Sequence, residues 1–148
     1  YLRLGVVHQR TLSQFDENHW QVTDVLFRPS AQSANDSPPV SVMLHWLLPD
    51  WPWSLKDQVL VLEPPFGGKV RLSIHPDGGA PEEYASAELS LVRAGKALFG
   101  PQEILLTRGW ASPTYSIKNP ALSLAFTMTT RLPITLTSEW RLSEPDQP

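Results

Sequence analysis

From Val40 to Leu48 the side chains alternate without a break. Val40, Val42, Leu44, Trp46 and Leu48 fall on one side of an extended chain, and Ser41, Met43, His45 and Leu47 on the other. A period of two belongs to a strand with one face in a core, because successive Cβ atoms point to opposite sides. Pro49 stops the strand: it has no N–H to give a ladder and it restricts the residue before it. Asp50, Trp51, Pro52 and Trp53 then read as a stiff turn carrying two further indoles. Each indole can bury on the order of 200 Å², so this stretch constrains much of the surrounding fold.

The rest of the chain repeats the same pattern in shorter pieces. Residues 2–12 read as a strand ending near Phe15. Asp16, Glu17 and Asn18 form a polar turn, and residues 19–27 return as the second arm of a hairpin. Residues 28–39 are rich in Ser, Ala, Asn, Asp and Pro with no period, which predicts a long, mobile surface loop. Val59–Leu62 is a short apolar run, and in 69–75 Val70, Leu72 and Ile74 alternate with Lys69, Arg71 and Ser73. Pro76 to Ala80 reads as a turn. Residues 86–92 and 104–107 are further strand candidates. Leu122, Leu124, Phe126 and Met128, then Leu132, Ile134, Leu136, Trp140 and Leu142, predict a closing hairpin linked around Arg131.

No window carries a convincing period of 3.6, and 15 prolines punctuate the chain. Residues 82–94 are the best helical candidate, yet Ala87, Leu89 and Leu91 fit a period of two as well. The expectation is an all-β fold, an antiparallel two-layer β-sandwich of about nine or ten short strands. Trp46, Leu44, Leu124, Phe126, Ile134 and Leu136 are its expected core. Residues 1–142 form one domain in this reading, and 143–148 a frayed polar tail.

Charge is sparse, with 18% charged residues and a net of -3, and Lys and Arg are scattered. A nucleic-acid binder needs a basic stripe to neutralise phosphates, so that class is disfavoured, and there is equally no basic patch for a sulfated glycan or an anionic membrane surface. Cysteine is absent, which excludes disulfides and thiolate metal sites. No apolar run approaches the ~18 residues of a membrane span, and no leader is visible. The compartment stays open. Because Tyr1 already sits in a strand-like pattern, the expectation is a piece of a longer polypeptide.

His8 and Arg10 stand two apart on one strand, hence on one face. An imidazole beside a guanidinium can bind a uronate carboxylate or steer a proton; it can also simply cap a sheet edge. The four histidines show no ligand spacing, so neither a metal nor another cofactor is expected. His45 reads as a satisfied half-buried histidine. Trp51, Trp53 and Trp110 could stack on the apolar faces of sugars, or cover the end of a sandwich. Glu82 and Glu83 diverge on an extended chain, and nothing supports a glycosidase pair. No phosphate loop, nucleophile elbow or zinc-protease motif is present. No catalytic residue is assigned.

Three stretches, YLRLGVVHQRTL at 1–12, LHWLLPDW at 44–51 and GWASPTYSIKNPALSLAF at 109–126, resemble the C-terminal β-region of heparinase II/III-like polysaccharide lyases. Their order and spacing suit that family over nearly the whole chain. The resemblance implies an α/α toroid upstream in the same chain, an acidic polysaccharide substrate, and β-elimination at a uronate. It also implies a periplasmic or extracellular setting. The family's catalytic Asn, Tyr and His motifs have no counterpart here, so the fragment is expected to be non-catalytic. The alternative is a carbohydrate-binding module using Trp51, Trp53 and Trp110.

Overall fold

A computed structural model describes residues 5–29, 38–78 and 86–144. The mobile loop expected at 28–39 falls largely outside the described residues, as do most of the polar tail and the start of the helical candidate. Among the described residues there is no helix. The chain is all-β and antiparallel, of the β-sandwich class expected, with twelve strands among the described residues rather than nine or ten. They are β1 (Val7–Asp16), β2 (His19–Phe27), β3 (Val40–Leu48), β4 (Trp53–Lys56), β5 (Val59–Leu62) and β6 (Lys69–Asp77). There follow β7 (Glu88–Arg93), β8 (Lys96–Phe99), β9 (Trp110–Ala111), β10 (Asn119–Pro120), β11 (Leu122–Thr130) and β12 (Ile134–Ser143).

Contacts divide the chain into two compact units. The first gathers the described residues of Tyr1–Ser41, Pro52–Ala85 and Thr129–Pro148. It holds a six-stranded sheet in the order β1-β2-β12-β6-β5-β4. The hairpin of β1 and β2 is the one expected. Its turn is closed by Asp16, whose Oδ1 accepts the Asn18 N–H at 2.8 Å, and a register shift falls between Gln14 and Asp16. Cross-strand register puts Val22, Leu136, Leu72 and Leu60 on one face, and all four are buried. The alternation in β6 carries through Pro76 to Asp77 instead of turning at Pro76, because both residues align with β12, Pro76 opposite Leu136 and Asp77 opposite Thr135. Thr137 also hydrogen-bonds the Asp77 carboxylate across the same two strands.

The second unit comprises Val42–Trp51 and the described residues of Ser86–Met128. Its four-stranded sheet has the order β3-β11-β7-β8. Leu124 pairs with Leu91 and Phe126 with Leu89, and all four are buried. The other face of β11 is buried too, through Ser123 and Ala125. In β3, Val42, Leu44 and Leu48 are buried while Met43 and Leu47 are exposed, following the alternation. Trp46 departs from expectation and is half-buried. It stands on an edge strand with a neighbour on one side only, and a side chain this large is seldom wholly enclosed.

Three further expectations change. β11 and β12 do not form a hairpin, since β11 lies between β3 and β7 and β12 between β2 and β6. Two adjoining strands with clean alternation can pair or enter different sheets, and alternation alone does not distinguish these. The segment 104–107 is a turn rather than a strand, closed by the Arg108 N–H donating to the Leu105 carbonyl at 3.0 Å. Two hairpins carried no sequence signal strong enough to read. β4 turns into β5 through Asp57 and Gln58, both at positive φ, and β7 into β8 through Ala94 and Gly95. Positive φ at both central residues suits a two-residue hairpin, but Asp-Gln is not a usual pair for it.

Gly109, buried at φ +74°, ties the excursion between β8 and β11 to β7. Its carbonyl accepts the N–H groups of Ala94 at 2.8 Å and Ala121 at 2.9 Å. A Cβ here would lie 2.7 Å from the Ala94 nitrogen and 2.8 Å from the Val92 oxygen. Gly109→Ala is therefore expected to cost about 1–3 kcal/mol from the left-handed backbone alone, and more because backbone must shift. Chemical denaturation checks this; a loss below about 0.5 kcal/mol, the range of ordinary surface changes, would contradict it.

Candidate functional site

β1 is an edge strand of the six-stranded sheet, and its register with β2 puts Arg10 directly opposite Asp24 and His8 opposite Leu26. Both side chains converge on the Asp24 carboxylate. Arg10 donates from Nε to Oδ1 at 2.7 Å and from Nη2 to Oδ2 at 3.0 Å, and His8 Nε2 meets Oδ1 at 2.6 Å. Asp24 is 1% exposed, whereas the side chains of His8 and Arg10 are 30% and 43% exposed. A buried carboxylate thus holds a partly open imidazole and guanidinium on one face.

Burial on its own raises the Asp24 pKa. The Arg10 and His8 hydrogen bonds outweigh it and hold the carboxyl below the usual aspartate range. An ionised carboxylate only accepts hydrogen bonds, so His8 Nε2 carries the proton in this contact. The arrangement orients the ring. It also engages the Arg10 fork in a two-point contact, the geometry that would otherwise clamp a substrate carboxylate. Asp24 was the residue missed from the sequence. Its signal was present: in HWQVTDVLF it shares a face with Val22 and Leu26, where a charged residue is out of place unless paired.

The three tryptophans divide between the units. Trp53 opens β4 opposite Leu62, on the face of the fully buried Leu60 and Leu62, and is itself half-buried. Trp51 is half-buried in the second unit. There Trp110 donates from Nε1 to the Leu106 carbonyl at 3.2 Å, and Lys118 Nζ sits 4.4 Å from its ring centroid. A cation over the indole occupies the surface that a sugar would stack on.

A second polar cluster lies wholly in the four-stranded unit. Arg108 donates to Ser123 Oγ, to the Ser123 carbonyl and to Ser90 Oγ, each at 3.0 Å. His45 Nε2 lies 2.7 Å from Ser123 Oγ. Burial, then the Arg108 charge, lowers the His45 pKa and favours the neutral ring. His45 is a partnered histidine, as its position on a mixed face implied, but the residue is exposed rather than half-buried. Nearby, Arg93 makes a two-point ion pair with Asp50 at 2.6 Å for both contacts, fixing the turn after β3. Among the described residues, no three His, Cys, Asp or Glu side chains are grouped to hold a metal ion.

No protein-family model and no curated protein matches this chain. Solved structures do. A heparinase III aligns over 96% of this chain with a TM-score of 0.63 and 14% identity. The heparan sulfate lyase HepC from Pedobacter heparinus aligns over 98%, with a TM-score of 0.65 and 10% identity. The fold is therefore the one found in part of these heparinase structures, as the sequence resemblance implied. The chain spans only 18% and 19% of their lengths.

Proposed function

We propose that this chain is a non-catalytic β-module of a heparinase-like polysaccharide lyase, which acts by β-elimination on an acidic, uronate-containing polysaccharide. It supports a catalytic toroid of the same polypeptide. The observation that carries the reading is the match of nearly the whole chain to about one-fifth of each lyase. In this reading the β1 face meets the substrate cleft, where His8 and Arg10 face the uronate and Asp24 keeps both side chains in place.

Elimination needs a base and an acid disposed about the C5 proton and the leaving oxygen, together with donors for the developing charge. Here Asp24 is saturated by its partners, His8 points Nε2 at that carboxylate, and Arg10 is engaged by it. These contacts support a positioning role for the cluster.

The 148-residue chain incubated with heparan sulfate, alginate and related uronate polymers is expected to give no rise in the ultraviolet absorbance of the unsaturated product. A metal-independent rise abolished by His8→Ala would move the active site into this chain and end the proposal. The competing reading, a carbohydrate-binding module, predicts neutral-glycan binding that is lost in Trp51→Ala, Trp53→Ala or Trp110→Ala. Retained binding in all three would remove it.

A further inference from the structure

The outer face of the six-stranded sheet aligns basic side chains that are far apart in the sequence. His19 on β2 is the cross-strand partner of Arg141 on β12, and Arg141 is the partner of Arg71 on β6. Three basic side chains therefore stand in one row. Like charges directly opposite each other destabilise a sheet, so the row requires compensation.

Glu139 supplies part of it. One of its oxygens, Oε1, accepts Arg141 Nη2 at 2.6 Å and lies 2.9 Å from His19 Nε2. A single carboxylate thus serves two of the three groups, and these contacts hold its pKa low. Arg71 has no such help: its side chain has no hydrogen-bond or ion-pair partner among the described residues. Lys56, on β4, is in the same position.

Two open depressions meet at the Arg71–Arg141 pair. One, about 210 Å³, reaches to His19 and Asn18. The other, about 390 Å³, reaches across Val61 and Ser73 to Lys56, with Asp57 and Glu139 also on its rim. The second has the volume of a small-ligand cleft. It presents two cations that have no direct ion-pair partner among the described residues, and Ser73 also borders it.

We infer that this depression is an anion subsite in which Arg71, aided by Lys56 and Arg141, takes one sulfate or carboxylate group of an acidic saccharide. An anion there relieves the opposed arginines and gives Arg71 the two-point oxygen partner its guanidinium lacks. The saccharide as ligand rests on the function proposed above; the anion subsite itself does not.

The test is an NMR titration of the 148-residue chain with inorganic sulfate, a sulfated heparin oligosaccharide and an unsulfated uronate oligosaccharide, at low and physiological salt. Saturable shifts at the amides of Arg71, Ser73 and Arg141 are expected. Arg71→Ala should weaken binding about tenfold, the loss of one charge-assisted pair, and Arg71→Lys should recover part of it. Arg71 is exposed, so an unchanged unfolding midpoint shows that the variant folds. Preference between the two oligosaccharides separates sulfate from carboxylate as the recognised group. Sulfate binding through Arg71 without binding of either oligosaccharide keeps the subsite and sinks the acidic-polysaccharide reading. Oligosaccharide binding that Arg71→Ala leaves unchanged overturns the subsite while sparing that reading.

Discussion

Phe126→Ala is expected to lower the unfolding free energy by about 3–5 kcal/mol, the range for emptying a large aromatic site in a core. Phe126 is 3% exposed on β11, which has hydrogen-bonded neighbours on both sides, and it stands opposite the buried Leu89. The ring cannot be replaced by solvent without opening the sheet's apolar face. Partial collapse is hindered because Ser123 and Ala125 on the reverse face of the same strand are also buried. Leu124→Ala should cost about 2–5 kcal/mol for the same reason. Met43 and Leu47, on the exposed side of β3, are the controls, and each should stay within about 0.5 kcal/mol of the parent when changed to Ala. Urea denaturation with slopes compared across variants measures all four. If Phe126→Ala costs no more than Met43→Ala, the packing account of the second unit is wrong.

Arg10→Ala should cost about 3 kcal/mol near neutral pH, at the lower end for breaking a buried pair. The low end applies because His8 remains beside the carboxylate. The loss comes mainly from leaving Asp24 buried with one partner fewer. Asp24→Leu is expected to stay within about 1 kcal/mol of the parent, since Val22, Leu26 and Leu136 already make an apolar setting. Arg10 and His8 are then left at positions open enough to hydrate. The Asp24 pKa lies below its unfolded value, so its contribution is fully present above about pH 4, the unfolded carboxylate range, and is lost as pH falls through the lower folded value. Stability measured from about pH 7 to pH 2 should therefore show an acid-sensitive component that Asp24→Leu abolishes and Arg10→Ala reduces. An Asp24→Leu protein with the parent's full acid sensitivity would show that the cluster does not couple to folding.

The strand alternations were legible from the residues alone. Val42, Leu44 and Leu48 buried against Met43 and Leu47 exposed, or Leu72 and Ile74 buried against an exposed Arg71, follow from the two-residue period of an extended chain. That rule is local, because it depends only on where successive Cβ atoms point. Which strand lies beside which is decided by competition among distant segments, and here the sequence misled. The runs at 122–128 and 132–142 alternate as cleanly as hairpin arms, yet they enter different sheets because each finds two other neighbours. The polar sites depend on the same long-range choice. His8 and Arg10 were visible as a pair, but their meaning depends on Asp24, brought opposite Arg10 by the register of β1 with β2. His19, Arg71 and Arg141 looked like scattered charges in a weakly acidic chain. Only the pairing of β2, β12 and β6 sets them in one row, since one residue of slip would send a strand's side chains to the opposite face.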